Sequence, residues 1–473
     1  MATLVSSNSP LARVLYSFLL FCLLSSVKKD NAVEGTKAYF HTLKINSRPL
    51  LDVCKESSKG TSVLNKGSAS LKVVHKYGPC YRHKRSIPPP SFIEILRRDK
   101  LRVDSIIQSR RSMNWARNVE HMKSGIPFRG LSKDTISDYV VNIGLGTPTK
   151  EVPLIFDTGS GLIWTQCKPC KPCYGNAPVF DPTKSTSFKG IPCSSKQCLR
   201  IEEAVCSSNS KCSYIVGYVD NTTSTGIYAT ETITFNQSNY DFRNILIGCS
   251  NQISGDLDQD NSGILGLNRQ PISFPSQTAD KFNELFSYCI PSTPGSTGYL
   301  TFGGEVSTDV KFSPVSNRAA SSDYDIEMTG ISVGGRKLLI DVSVFKIRCA
   351  IDSGTVFTRL PPKAYKALRS MFREMMKSYP LVDIDETLDT CYNFRNYKTV
   401  TIPAVSVFFK GGVEVDINVS GIMFGDVESK VYCLAFAALD EEYAIFGNVQ
   451  QQTYTLVFDG ARERIGFAPG GCD

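Results

Sequence analysis

An apolar run of 11 residues, Val14 to Leu24, follows Arg13 near the amino terminus. It is too short to cross a hydrocarbon layer of about 30 Å and has the length of the apolar core of a secretory signal, so residues 1–27 are predicted to be a signal peptide. No later stretch is apolar and long enough to span a membrane. Between Ser91 and Gln108 apolar residues recur at helical spacing, which predicts a helix in a region otherwise rich in Lys, Arg and Ser. From Asp138 the texture changes. Short β-branched and aromatic runs alternate with Gly, Asn, Ser and Pro: Tyr139–Gly144, Val152–Phe156, Glu231–Phe235, Val405–Phe409 and Tyr454–Phe458. One strong helix is predicted at Pro361–Tyr379. Its proline stands where a missing N–H costs nothing, and Ala364, Tyr365, Leu368, Phe372 and Met375 make one apolar face. A weaker one is predicted at Phe274–Phe286. The pattern is mainly β.

A weak internal repeat carries the most information. Phe156-Asp-Thr-Gly-Ser160 returns as Ile351-Asp-Ser-Gly-Thr355. Gly263-Ile-Leu-Gly266 follows the first copy, and Ala444-Ile-Phe-Gly447 follows the second at a comparable distance. Two copies of one unit predict two lobes about an approximate two-fold axis, with one small element of each at the seam.

Charge divides the chain. Residues 28–133 hold 23 Lys and Arg against 8 Asp and Glu, whereas the chain from Asp134 holds 29 against 37. The overall +8 admits a nucleic-acid binder, but the basic part has no recognition motif and no interleaved aromatics. A basic prosegment, residues 28–135, folding onto an acidic body is the better account; that attraction weakens as carboxylates protonate. The body then divides into lobes at 136–310 and 311–473. Basic pairs at Lys84-Arg85 and Arg110-Arg111 are candidate processing points, although surface pairs of this kind are common.

Sixteen cysteines sharpen the compartment. Cys22 lies in the signal, and Cys54 and Cys80 lie in the prosegment. The remaining thirteen are an odd number, so at least one thiol is free or pairs outside the domain. Such density behind a signal peptide predicts disulfides formed in an oxidising compartment.

All four histidines, His41, His75, His83 and His121, precede the β-rich body. Ser-His-Asp, Cys-His and histidine-ligated zinc chemistry are therefore excluded there, unless a lysine serves as base. No metal or cofactor is expected. Carboxylate chemistry remains. A lone Asp-Thr-Gly is usually a β-turn; two copies with matching flanks argue for a pair. Asp157 and Asp352 are the candidate catalytic residues. Gly159 and Gly354, lacking Cβ, would let the backbones approach. Thr158 and Ser353 would bond across the seam, and Ser160 and Thr355 would each bond the outer oxygen of its neighbouring Asp. Two carboxyls near 4 Å repel by about 4 kcal/mol at an effective dielectric constant near 20. The pair would therefore share one proton in acid, activate a water as base and protonate the scissile carbonyl as acid.

These motifs resemble those of the pepsin-like aspartic proteases, and more narrowly the plant nepenthesin-like branch with its chloroplast-nucleoid group. Further matches are Trp164–Cys170, Phe180–Ser187, Ser287-Tyr-Cys289, Gly298–Gly304, Thr355–Pro362, Ile445–Gln450 and the prosegment stretch Val74–Cys80. The resemblance implies a bilobal β fold, a monomer, a zymogen held by its own prosegment, and cleavage of polypeptides in acid. It implies that Tyr218 is the flap tyrosine closing over substrate, and that Cys391 and Cys433 form the bridge of the second lobe. It also favours disulfides over zinc or redox chemistry at Cys167-Lys-Pro-Cys-Lys-Pro-Cys173.

Three departures stand out. Val219-Asp-Asn-Thr222 replaces a glycine-rich flap tip, Gly161 stands where relatives usually carry Asp, and Cys349 is an unusual neighbour of the second Asp and the candidate odd thiol. Glycosylation sequons fall at Asn221, Asn236 and Asn418. The expected destination is the apoplast or vacuole, with the plastid a third option that the resemblance allows. The rival reading is a catalytically weak or inactive relative acting as a secreted protein-binding inhibitor. Survival of both Asp motifs favours the enzyme.

Overall fold

The structure is a computed structural model describing residues 39–45, 53–56, 67–83, 88–118, 138–170, 173, 177–199, 201, 204–206, 210–217, 223–235, 240–254, 262–316 and 322–472. The predicted signal peptide lies outside the described residues, as do Lys84-Arg85, Tyr218, the Val219–Thr222 flap tip, Asn221 and Asn236.

The fold is mainly β, and the repeat is written into its topology. In the first half, the strand Lys150–Asp157 ends on the first candidate Asp and pairs in parallel with Gly263–Gly266. That strand runs antiparallel to Trp164–Gln166, which pairs in parallel with Tyr240–Ser254. In the second half, Ile347–Ile351 leads to the second Asp and pairs in parallel with Ala444–Phe446. Ala444–Phe446 runs antiparallel to Thr358–Leu360, which pairs in parallel with Phe436–Ala438. The same four-strand arrangement thus occurs twice, once under each Asp. Towards the seam these strands are largely buried, as sheets covered on both sides require, although Arg359 lies among them.

The first half belongs to a sheet of 15 strands. It continues through Leu285–Cys289 to Thr455–Asp459, Arg464–Ala468 and Lys311–Pro314, so the carboxy-terminal strands knit the two halves together. Under it lies an aromatic core in which Phe286 stacks on Phe458 at 4.6 Å and Phe274 meets Phe302 edge-on at 4.7 Å. The strong helix forms at Pro362–Met375 and buries Ala364, Tyr365, Leu368 and Phe372, four of the face residues expected. The weaker prediction resolves into two short helices, Phe274–Gln277 and Ala279–Phe282, and a strand from Leu285. Asn283 and Glu284 adopt left-handed backbone there, which breaks the helical run.

The described residues before Asp138 pack against this body. Phe40–Lys44 pairs with Thr399–Pro403. Ala69–His75 is a central strand, paired with Gly298–Phe302 on one edge and Tyr139–Leu145 on the other. The basic helix spans Phe92–Asn118. Pro88-Pro-Pro90 cannot extend it backwards, and Ser91 caps it, its hydroxyl accepting from the Glu94 N–H at 3.3 Å. Leu96 packs with Phe357 and Val449, and Val103 and Ile106 pack with Leu439, Tyr443 and Ile445.

Seven disulfides occur among the described residues: Cys54–Cys80, Cys167–Cys249, Cys170–Cys173, Cys193–Cys206, Cys198–Cys212, Cys289–Cys472 and Cys391–Cys433. Cys391 and Cys433 face each other across two antiparallel strands. Cys349 is free and buried, and burial, with the nearby Asp325 carboxylate, pushes its thiol well above the usual range. It is therefore an inert interior thiol.

Candidate active site

Both Asp-bearing strands end at the seam, and their turns interlock with near two-fold symmetry. The Thr158 hydroxyl donates to the Ile351 carbonyl at 2.9 Å, and the Ser353 hydroxyl donates to the Phe156 carbonyl at 3.1 Å. Each hydroxyl oxygen also accepts the other turn's N–H: Ser353 N at 2.9 Å and Thr158 N at 3.0 Å. All four groups are buried, so each bond satisfies atoms that water cannot reach.

The carboxylates are held identically. Asp157 accepts from the Gly159 N–H at 2.9 Å and from the Ser160 hydroxyl at 2.6 Å. Asp352 accepts from the Gly354 N–H at 2.9 Å and from the Thr355 hydroxyl at 2.7 Å. The two glycines are sterically required. A Cβ on Gly159 would lie 2.7 Å from an Asp352 oxygen, and one on Gly354 would lie 2.6 Å from an Asp157 oxygen. Each turn passes directly beneath the opposite carboxylate.

A third charge completes the site. Arg102, fully buried on the basic helix, places one guanidinium nitrogen 3.0 Å from Asp157 Oδ1 and 2.7 Å from Asp352 Oδ1. Its Nε donates to Thr355 Oγ1 at 3.1 Å. One cation thus joins both carboxylates. Burial raises the Asp157 pKa; Arg102 opposes that, the neighbouring Asp352 adds to it, and the Ser160 hydroxyl and Gly159 N–H oppose it. The net shift is upward. Burial alone would lower the Arg102 pKa, but the two carboxylates outweigh it, and the guanidinium is held charged.

Flanking contacts seat the helix. Asp99 accepts from the Val356 N–H at 2.8 Å and pairs with Arg359. Arg110 pairs with Asp323 at 2.7 Å and Asp325 at 3.2 Å and lies over the Tyr443 ring. Arg110 is thereby buried.

Behind the dyad, Gln451 donates to the Asp352 carbonyl at 3.2 Å and accepts from the Tyr288 hydroxyl at 2.6 Å, while Asn448 donates to the Ser353 carbonyl at 3.1 Å. Sequence reasoning missed these residues. The signal was there: Asn448 and Gln450-Gln-Gln452 follow a wholly apolar strand, and polar residues in such a place are buried only with partners. Gly161 fits closely, since a Cβ there would meet Gln270 at 2.1 Å and Asn268 at 2.7 Å. Asn418 is half-buried and caps a short helix, its side-chain oxygen accepting from the Ser420 N–H at 3.1 Å. The dyad and its six supporting residues come together. Asn418, Cys391–Cys433 and Cys349 belong to other parts of the structure.

Residues 139–304 match the family model described as xylanase inhibitor N-terminal, and residues 323–469 match xylanase inhibitor C-terminal. The chain is 41% identical to an aspartyl protease family protein of Arabidopsis thaliana, over 96% of this chain and 98% of that one. It is also 41% identical to Aspartyl protease AED1 of the same plant, covering 96% of each chain. Identity to aspartic proteinase nepenthesin-2 of Nepenthes gracilis is 35%, over 71% of this chain and 78% of that one. Among solved structures, edgp aligns with a TM-score of 0.57 at 19% identity, covering 72% of this chain and 93% of that one. Conglutin gamma from lupine seeds gives 0.57 at 20%, covering 72% and 92%. At such identity these two speak for the fold alone.

Proposed function

Since the chain belongs to the pepsin-like aspartic protease family, we propose that it is an aspartic endopeptidase made as a zymogen, with Asp157 and Asp352 as its catalytic pair. The observation that carries this reading is the single buried guanidinium bridging the two carboxylates. Arg102 comes from a segment outside both family-matched regions. It occupies the place where a water and a scissile carbonyl would sit. Charge neutralisation lets both carboxylates stay close without the repulsion of a bare pair.

With the helix gone, the inner oxygens are free to hold a water. The pair then retains one proton. Its ionised member takes a proton from the water, and its protonated member gives one to the carbonyl oxygen. Gly159 and Gly354 N–H groups, with the Ser160 and Thr355 hydroxyls, hold the carboxyls in position for that exchange. Tyr218 is proposed as the flap residue on its sequence register. Secretion to the apoplast or vacuole is proposed on the density of disulfides.

The test is acid incubation of the purified precursor, followed by sequencing of the new amino terminus. Cleavage between about Arg111 and Asp138 is expected, and a pepstatin-type inhibitor or Asp157→Ala should block it. Maturation that persists in Asp157→Ala incubated alone would overturn self-processing. A second reading draws on the matched family models, whose descriptions name xylanase inhibitors. In that reading the cleft binds a protein without cleaving it. Xylanase inhibition by the processed chain, with no hydrolysis of any polypeptide, would favour it.

A further inference from the structure

One turn before Arg102, the same helix face inserts Asp99, which is fully buried. Its Oδ1 accepts from the Val356 N–H at 2.8 Å and from the Phe357 N–H at 3.4 Å, and its Oδ2 meets the Arg359 guanidinium. Arg359 is only 4% exposed. It sits in the short strand Thr358–Leu360, locked between Ile445 and Ala437. Its Nε has no hydrogen-bond partner, and Asp99 is the only carboxylate paired with it among the described residues.

The three donors belong to the body, whereas their acceptor belongs to the helix that activation is proposed to displace from the cleft. Departure of the helix therefore strips a recessed cation and two N–H groups of their anion, beside the catalytic Asp352-Ser-Gly-Thr355 turn. A recessed charge without a counter-charge is costly. A carboxylate arriving with a ligand would restore every bond that Asp99 makes.

We propose that the mature cleft contains a carboxylate-binding subsite formed by the Arg359 guanidinium and the N–H groups of Val356 and Phe357. It selects polypeptide substrates with an acidic side chain close to the scissile bond. The proposal rests on the endopeptidase reading. Asp99 and Arg102 are three residues apart on a helix that rises about 1.5 Å per residue. An extended substrate advances about 3.3 Å per residue. The subsite therefore takes a side chain one or two residues from the bond that replaces Arg102 between the carboxylates.

The experiment uses the full-length chain after acid processing. Internally quenched peptides with one Leu-Phe scissile pair carry Glu or Gln at each of the two flanking positions on either side. At pH 5 a Glu side chain of ordinary pKa, near 4.3, is mostly ionised. At one position Glu should exceed Gln in kcat/KM by about tenfold, as expected for a charge-assisted bond. Arg359→Gln should bring that ratio to about one, and Arg359→Lys should keep part of it. The same peptides are also titrated for binding by fluorescence anisotropy. Hydrolysis with no Glu preference at any position overturns the subsite and leaves the endopeptidase standing, as does a ratio unchanged in Arg359→Gln. Glu-selective binding that Arg359→Gln abolishes, without hydrolysis of any peptide, supports the subsite and overturns the endopeptidase. Neither hydrolysis nor Glu-selective binding overturns both.

Discussion

Asp157 carries no exposed surface, and burial together with the charge of Asp352 holds its pKa above the ordinary 3.8. A carboxyl whose pKa is raised keeps its proton to higher pH. In the processed enzyme Arg102 has left the pair, and repulsion between the two close carboxylates keeps one proton on them to higher pH. Its loss removes the acid member of the proposed pair, so the alkaline limb of kcat/KM should lie above the usual carboxylate range. The Ser160 hydroxyl works in the opposite direction. Its 2.6 Å bond favours the ionised carboxylate and lowers the pKa. Ser160→Ala removes that stabilisation, so the limb should move to higher pH. A hydrogen bond to a charged group contributes about 1.5–3 kcal/mol, and one pKa unit is about 1.4 kcal/mol. A displacement of about one unit is expected for the coupled pair. A pH profile of the processed enzyme and its Ser160→Ala variant checks this. A limb that stays put or moves to lower pH would show that the hydroxyl does not bond the titrating carboxyl.

At the scale of elements, the basic helix is held by charge as much as by packing. Arg102 is the costliest of its residues to lose, because two facing carboxylates lose their shared cation. Removing one partner of a buried ion pair typically costs about 3–5 kcal/mol. Arg102→Met should therefore destabilise the precursor by about that amount in urea unfolding at pH 7. The deficit should shrink as the carboxylates protonate, since the attraction requires their charge. The pH of half-conversion to the processed form should accordingly rise above that of the wild type. An unchanged conversion profile would show that Arg102 does not hold the helix in place. The helix itself was legible in the apolar spacing of Ser91–Gln108, and the charge split pointed to a basic segment lying on an acidic body. Arg102 was not. Yet Leu96, Asp99, Arg102, Val103, Ile106 and Arg110 recur at helical spacing on one buried face. Charged residues on an apolar stripe are a readable sign that opposite charges wait in the surface it covers. Pairing of the remaining cysteines could not be read, because connectivity depends on which strands the fold brings together.

The molecule as a whole extends this lesson. The two-lobed architecture was legible because each half repeats the same Asp turn and the same small strand at its seam. Less visible was the mutual dependence of the segment 69–75 and the body. Ala69–His75 reads like any short β run; only its neighbours make it a central strand. It pairs from Ala69↔Phe302 to Val73↔Gly298 on one edge and from Val73↔Val141 to His75↔Tyr139 on the other. Ala69, Leu71, Val73 and Val74 are buried, Lys76 pairs with Asp138 at 2.9 Å, and Cys54–Cys80 closes the segment. Burying a Val or Leu side chain contributes about 1.5–3 kcal/mol, and both edges would lose their ladder bonds if the strand left. Cleavage between Arg111 and Asp138 releases the carboxy-terminal end of the helix, which can then swing out of the cleft on residues 76–91 while this strand stays paired. We therefore expect the fragment bearing residues 69–75 to remain in the sheet after activation. Gel filtration of the processed protein at neutral pH should give one peak, and its mass spectrum under denaturing conditions should give two polypeptides. One polypeptide beginning beyond Arg111, folded as before, would sink this expectation, because another strand must then have filled the gap between Gly298–Phe302 and Tyr139–Leu145.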